Sequence, residues 1–344
     1  MKQVLMLACG LTVVAACAVN PVTLEKEFMI ISEEKEISIG ERSDPVIVQM
    51  YGLYEDAALQ EYVNQVGQKL ARVCSRKNIE YHFKLLDTDD ANAFALPGGY
   101  IYLTRGILAL MNSEAEMAGV LGHEIGHVVG RDSANQISQQ TWMQVVAIAG
   151  MAASPSTREL AMAGNMLFNA VMLGYGREKE FLADSQGVEY MFRAGYDPLQ
   201  MARFLSTLGK IYQGPAGYAQ YLTTHPYTGD RINRADAQAK VLTAMDDALT
   251  RRATGGGNGS FDPTVKSGRT IGADEFIARL DGLAYGPSEN IRRIKIYTVD
   301  GGDTLESIAG GVAHGNQTVK EIAFMNGLDP ASPLSPGQKL KLVF

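Results

Sequence analysis

The chain has 344 residues, enough for one large domain and a small one. With 46% apolar and 20% charged residues, it is not a mostly disordered chain. A formal charge of −7 gives no support to nucleic-acid binding, which would want a basic face, so no nucleic-acid partner is expected.

Met1 and Lys2 precede an apolar run from Val4 to Ala16, shorter than the about 20 residues a membrane span requires. Residues 1–16 therefore read as a signal peptide. The run ends Val14-Ala15-Ala16-Cys17, which resembles the bacterial lipoprotein signal; an ordinary Ala-x-Ala cleavage site is the alternative. The resemblance implies export, lipidation of Cys17 and a tether on the periplasmic side of the membrane. Ala18 favours the outer membrane. Cys74 is then left alone, and no disulfide is expected.

Residues 17–252 read as one domain with an N-terminal tether. The polar stretch 21–45 suggests that tether and a short helix. Leu59, Tyr62, Val63, Val66 and Leu70 recur at helical spacing, and Tyr81 to Leu86 alternates as a strand does. Asn92-Ala-Phe-Ala-Leu96 and Tyr100-Ile-Tyr-Leu-Thr104 flank Pro97-Gly98-Gly99 and read as a hairpin.

Residues 113–130 then hold His123, Glu124 and His127 with the spacing HExxH. Ser113 and Glu116 form a capping-box pattern, and Gly130 is placed to end the helix. Positions i and i+4 share a helix face, so the two imidazoles converge. Glu124, roughly 100° round from His123, is aimed at a metal-bound water rather than at the metal. Gly119, Gly122 and Gly126 line a second stripe, each costing about 0.8–1 kcal/mol relative to alanine, which calls for close approach of another backbone. The plain alternative is a pair of core histidines bonded to carbonyls.

Ser133 to Ala153 turns apolar after Trp142 and stops at Pro155; Ser156 and Glu159 open a second apolar segment, giving a helical hairpin. Arg177 to Gly195 is helical, with Glu180 and Asp184 four apart on one face. Pro198 starts another helix, Thr224-His225-Pro226-Tyr227 is a loop, and a helix containing Arg231 follows. Residues 253–272, around Gly255-Gly-Gly-Asn-Gly-Ser260, read as a linker and 273–296 as a connecting segment. Residues 297–344 read strand, helix, helix, strand.

A catalytic zinc takes three protein ligands and keeps one position open. His123 and His127 supply two. Glu180 is the best third, with Asp184 placed to orient a ligating histidine; His225 is the other candidate. A solvated charged face is the alternative for Glu180 and Asp184.

HExxH followed by ExxxD, with upstream Asn92-Ala-Phe-Ala-Leu-Pro-Gly-Gly-Tyr-Ile-Tyr and downstream His225-Pro226 and Arg231-Ile232, resembles the HtpX/BepA-like zinc metallopeptidases, relatives of the CAAX-prenyl protease. The similarity covers roughly residues 25–250. It implies one Zn2+ per chain on His123, His127 and Glu180, Glu124 as general base and Asp184 behind the ligands. It also implies that His225 and Arg231 act at the site, and that the strand with Asn92, Ala93, Phe94 and Ala95 borders the substrate cleft.

Tyr297-Thr-Val-Asp-Gly-Gly-Asp-Thr-Leu-Glu-Ser-Ile-Ala and Asn326-Gly-Leu…Leu334-Ser-Pro-Gly-Gln-Lys-Leu resemble a LysM module, which implies possible peptidoglycan binding. The expected fold is α+β: a mainly helical zincin (gluzincin) domain with a small sheet, and a small βααβ domain. The expected function is a zinc metalloendopeptidase of the bacterial envelope acting on unfolded or misassembled proteins. The alternatives are a peptidoglycan peptidase and a non-enzymatic chaperone or scaffold.

Overall fold

The computed structural model describes residues 17–150, 174–211, 224–226, 229–253, 268–313, 315 and 317–344. The expected signal peptide, the Ser156–Glu159 capping box and the Gly255–Ser260 linker lie outside them. Among the described residues no helix is long and apolar enough to cross a membrane. The fold is α+β and mainly helical, with small sheets.

Strands β1 (Cys17–Val19) and β2 (Lys26–Phe28) pair antiparallel ahead of helix α1, Glu33–Tyr51. This helix is far longer than the short one expected. Its polar sequence hides its role, because its buried carboxylate, Glu36, faces inward to Arg76 and Arg131 at 2.8 and 2.7 Å. Helix α2 (Ala57–Ala71) opens on Asp56, whose side chain accepts from Leu59 N, and buries Leu59, Tyr62, Val63, Val66 and Leu70.

A three-stranded sheet follows in the order β3 (His82–Leu86), β5 (Tyr100–Thr104), β4 (Ala93–Leu96). β3 runs parallel to β5, and β4 pairs antiparallel to it on the edge. The β4–β5 turn is possible because Gly98 and Gly99 take φ of 80° and 96°. The short α3 (Arg105–Leu110) leads into α4 (Glu114–Gly130), which carries HExxH and is buried nearly throughout.

Ser113 Oγ accepts from Glu116 N at 3.1 Å, while Glu116 Oε2 accepts from Asn112 N at 2.6 Å, one residue before the reciprocal partner a capping box uses. At the other end the left-handed residue is Arg131 (φ 55°, ψ 32°), not the expected Gly130. Arg131 bonds to Glu36 Oε2 and to the Ile31 carbonyl at 2.7 and 2.9 Å, and these bonds hold a non-glycine residue in that conformation.

Helix α5 (Asp132–Gly150) leaves this turn, and α6 (Arg177–Arg193) returns to lie along α4. Gly122 and Gly126 of the glycine stripe make the contact, with a Cβ on Gly126 standing 2.9 Å from Ala183 Cα, whereas Gly119 faces the sulfurs of Met201 and Met191. Helix α7 (Leu199–Ile211) packs against α4, and α8 (Gly229–Ala253) packs against α6 and α7. After α9 (Ala273–Arg279), a second sheet has the order β6 (Ala284–Tyr285), β7 (Arg292–Thr298), β8 (Lys339–Val343), all antiparallel. A short turn, Leu305–Ser307, and α10 (Val319–Met325) connect β7 to β8 around their own small core. Strand β7 starts at Arg292, within the segment expected to be a connector.

Candidate metal centre

Helix α4 places His123 and His127 one turn apart, with their Nε2 atoms 3.1 Å from each other. Helix α6 brings Glu180 against both: its Oε2 lies 3.5 Å from His123 Nε2 and its Oε1 3.4 Å from His127 Nε2. His225, on the segment before α8, places Nδ1 3.2 Å from His123 Nε2 and 3.0 Å from Glu180 Oε1. One donor atom from each of these four buried residues falls within 4.8 Å of all the others.

The surroundings fix each ring. His127 Nδ1 shares a 2.9 Å hydrogen bond with Asp132 Oδ2 and His123 Nδ1 lies 2.9 Å from Asp184 Oδ1, so both outer nitrogens face carboxylates and both Nε2 atoms turn inward. Arg231 reaches both Asp184 oxygens at 2.7 Å and Glu180 Oε2 at 2.7 Å. Its guanidinium therefore sits behind the ligands rather than facing the cleft. Lys179 lies 2.9 Å from Asp132 Oδ1.

Glu124 is fully buried, and neither carboxylate oxygen has a hydrogen bond; Oε1 is 3.4 Å from His225 Nε2. A buried carboxylate without a hydrogen-bond partner is costly to the fold.

The charges point to a cation. Carboxylates crowd the two fixed cations: Glu124, Asp132, Glu180 and Asp184 share Arg231 and Lys179, and Lys179 also pairs with Glu27, an imbalance that favours a bound cation. Burial would push His127 down, but Asp132 and Glu180 outweigh it and raise it to about 10. Burial dominates at His123, which is pushed down despite Asp184 and Glu180. Burial would raise Glu180, yet His225 and Arg231 hold it well below the usual carboxylate range. Imidazole nitrogens with one carboxylate oxygen are a zinc donor set.

Asn92 and, on the edge strand that follows it, Ala93, Phe94 and Ala95 lie beside this centre, and all four are buried. His225 Nε2 lies 3.3 Å from the Ala93 carbonyl, Thr224 Oγ1 donates to Asn92 Oδ1 at 3.3 Å, and Ser133 Oγ donates to the Ala95 carbonyl at 3.1 Å. The Phe94 ring turns away to stack on Tyr102, with centroids 5.0 Å apart.

Sequence reasoning missed two residues. Asp132 orients His127 as Asp184 orients His123; its one signal is a carboxylate five residues past His127. Tyr175 stacks on His127 with centroids 4.0 Å apart and shares a 2.7 Å hydrogen bond with Ser133. Nothing in the spacing marks it.

Residues 57–239 match the model for Peptidase family M48, and residues 297–343 match the LysM domain. The chain is 29% identical over 223 residues to the Beta-barrel assembly-enhancing protease of Escherichia coli, covering 61% of this chain and 46% of that protein. It is 30% identical over 220 residues to the Mitochondrial metalloendopeptidase OMA1 of Arabidopsis thaliana, covering 62% and 43%. It is 29% identical over 188 residues to a Protease HtpX homolog of Pyrobaculum calidifontis, covering 48% and 51%. The chain thus spans about half the length of these relatives.

Proposed function

The chain belongs to peptidase family M48, and on that premise we propose that it is a zinc metalloendopeptidase of the bacterial cell envelope. Its substrates in this reading are unfolded or misassembled envelope proteins, and Cys17 carries a lipid that holds it to the outer membrane. The observation that carries the activity is Glu124: a buried, unbonded carboxylate beside three converging donors, His123, His127 and Glu180. A purely structural site closes its fourth position and has no use for such a base.

His123, His127 and Glu180 would hold the zinc, which would supply Lewis acidity and make a water acidic enough to lose its proton near neutral pH. Glu124 takes the proton from the attacking water and delivers it to the leaving amine. The substrate backbone adds along β4, the sheet edge, displacing His225 and Ser133 from the Ala93 and Ala95 carbonyls, so that main-chain bonds give affinity and side-chain pockets give selectivity. That mode suits chains whose strands are exposed. Asp184 and Asp132 hold the histidine tautomers, Arg231 holds Glu180 and Asp184, and His225 is a donor for the oxyanion.

The test is Glu124→Gln in the full chain, with zinc content measured in parallel. Zinc should stay at one per chain while cleavage of an unfolded outer-membrane protein disappears. Cleavage at the unaltered rate would sink the mechanism. Incubation with purified sacculi separates the substrate classes, since released muropeptides would favour the cell-wall reading.

One observation favours a second reading, a latent state in which His225 is a fourth ligand: its Nδ1 lies 3.2 Å from His123 Nε2. In that state the open position is filled, and His225→Ala should raise activity. An unchanged or lower rate counts against latency.

A further inference from the structure

The start of the HExxH helix is built from the C-terminal part of the chain. A helix leaves its first amides without partners in its own backbone, and here three have partners supplied from outside it. Glu116 N is capped by Ser113, while Ala115 N and Glu114 N donate to the carbonyls of Ile271 and Gly272 at 3.0 and 3.3 Å. Gly272 takes φ of 65° to present its carbonyl, and a Cβ there would stand 3.0 Å from the Glu114 Cβ. The same strand of chain is tied to α6 and α7: Thr270 N donates to Gly195 O, and Asp197 N to Thr270 O, both at 3.0 Å.

A second attachment lies one turn earlier. Lys341, on β8, is fully buried, and its Nζ donates to the carbonyls of Ala109 and Met111 at 2.7 and 2.6 Å. Those carbonyls end α3, immediately before α4. The alternation Lys339-Leu-Lys-Leu-Val343 marks lysine as the solvated face of a strand. Instead Leu340 and Leu342 fill the module's own core, while Val343, with Ile294 and Met325, joins the core cluster that contains Leu121 and Ile125 of α4. A third attachment is Arg105, which donates to the carbonyls of Ala284 and Gly286 at 3.4 and 2.9 Å.

From these contacts we propose that the C-terminal module and the segment leading into it are a positioning element of the metal centre: a clamp that sets where α4 begins. His123 lies nine residues beyond Glu114, about 13 Å along a rigid, buried helix. A shift at the clamp is therefore carried to the ligands, and Lys341 is the clamp's positioning residue. The module cannot be a freely swinging anchor while these bonds stand.

Native-state hydrogen exchange on the full chain tests this without metal. Amides 114–117 and 339–343 should open at the same denaturant concentration, as one cooperative unit. If 339–343 opens well before 114–117, the module is a passenger and the proposal fails. Lys341→Met removes both carbonyl contacts at nearly constant length, and exchange of 114–117 should speed roughly tenfold. Ile308→Val trims the module's own core, which also holds Leu340 and Leu342 of β8, and should quicken 339–343 and 114–117 together. Acceleration confined to 339–343 in Lys341→Met, or no change in either segment, overturns the clamp. Only a second readout rests on the zinc reading: release of zinc to a chelator should quicken in Lys341→Met and not in Gly229→Ala, whose added Cβ meets nothing within 4 Å. If exchange behaves as expected but no zinc is held, the metal reading fails and the clamp stands.

Discussion

Gly122 and Gly187 meet backbone to backbone. A Cβ on Gly122 would stand 3.1 Å from Gly187 Cα, and one on Gly187 would stand 3.0 Å from His123 N and 3.3 Å from Gly122 C. Every one of these neighbours is main chain, so none can rotate away. Gly187→Ala gains about 0.8–1 kcal/mol of helix propensity and incurs about 1–3 kcal/mol of overpacking. Overpacking should win, pushing α6 and Glu180 away from the histidines. The expected result is a lower Tm and at least about tenfold weaker zinc binding in a chelator competition. Gly229→Ala, with nothing within 4 Å of the added Cβ, should leave both unchanged or raise Tm slightly. Equal behaviour of the two variants would remove the close approach from the account of the site.

The close approach of α4 and α6 was legible because three glycines at helical spacing need a reason, and HExxH with ExxxD was legible because both follow the helical repeat. What could not be read depends on turns and on distant packing. Asp132 reaches His127 only because Arg131 takes a left-handed conformation that folds the chain back on itself, and that conformation depends on Glu36, 95 residues earlier. Tyr175 comes to His127 along the return path to α6. Lys341 sits on a strand whose period gives its face correctly but not what covers that face.

Asp132 is therefore a test of the structure independent of the motifs. Asp132→Asn keeps the side chain's size and can still accept from His127 Nδ1, but it withdraws the negative charge that raises ligand basicity. Loss of such a partner weakens metal affinity about 10–100-fold. The effect should show as weaker zinc retention, with kcat of the fully loaded enzyme altered less than its zinc affinity. Unaltered affinity would mean that Asp132 serves only Lys179.

Arg231 leads to a contrast between loaded and metal-free protein. Its removal leaves both oxygens of Asp184 and Oε2 of Glu180 without their cation, in a place where Glu180 and Asp184 are 0% and 2% exposed. Breaking a buried ion pair by deleting one partner costs about 3–5 kcal/mol. Bound zinc supplies part of the missing positive charge. Arg231→Met should thus lower the Tm of the metal-free protein more than that of the zinc-loaded protein. Equal losses in the two forms would show that Arg231 packs rather than neutralises.

The Lys341 contact gives a pH dependence whose sign can be fixed. Burial pushes the Lys341 ammonium down, to about 7, against the favourable Coulomb influence of Glu116; burial pushes Glu116 up, against Lys341 and Arg203. Between about 7 and the ordinary lysine value of 10.5, the unfolded chain holds a proton on Lys341 that the folded chain does not. Stability rises with pH wherever the unfolded state binds more protons, so this group stabilises the fold increasingly as pH climbs through that window. Glu116 acts the other way below it: the folded state holds the extra proton, and its contribution falls as pH rises from 4.5 towards neutrality. Unfolding free energies of the natural chain and of Lys341→Met, measured from pH 7 to 10.5, should therefore diverge in favour of the natural chain as pH rises. A constant difference across that range would mean that Lys341 keeps an ordinary proton affinity, which is incompatible with its burial against two carbonyls at the start of the HExxH helix.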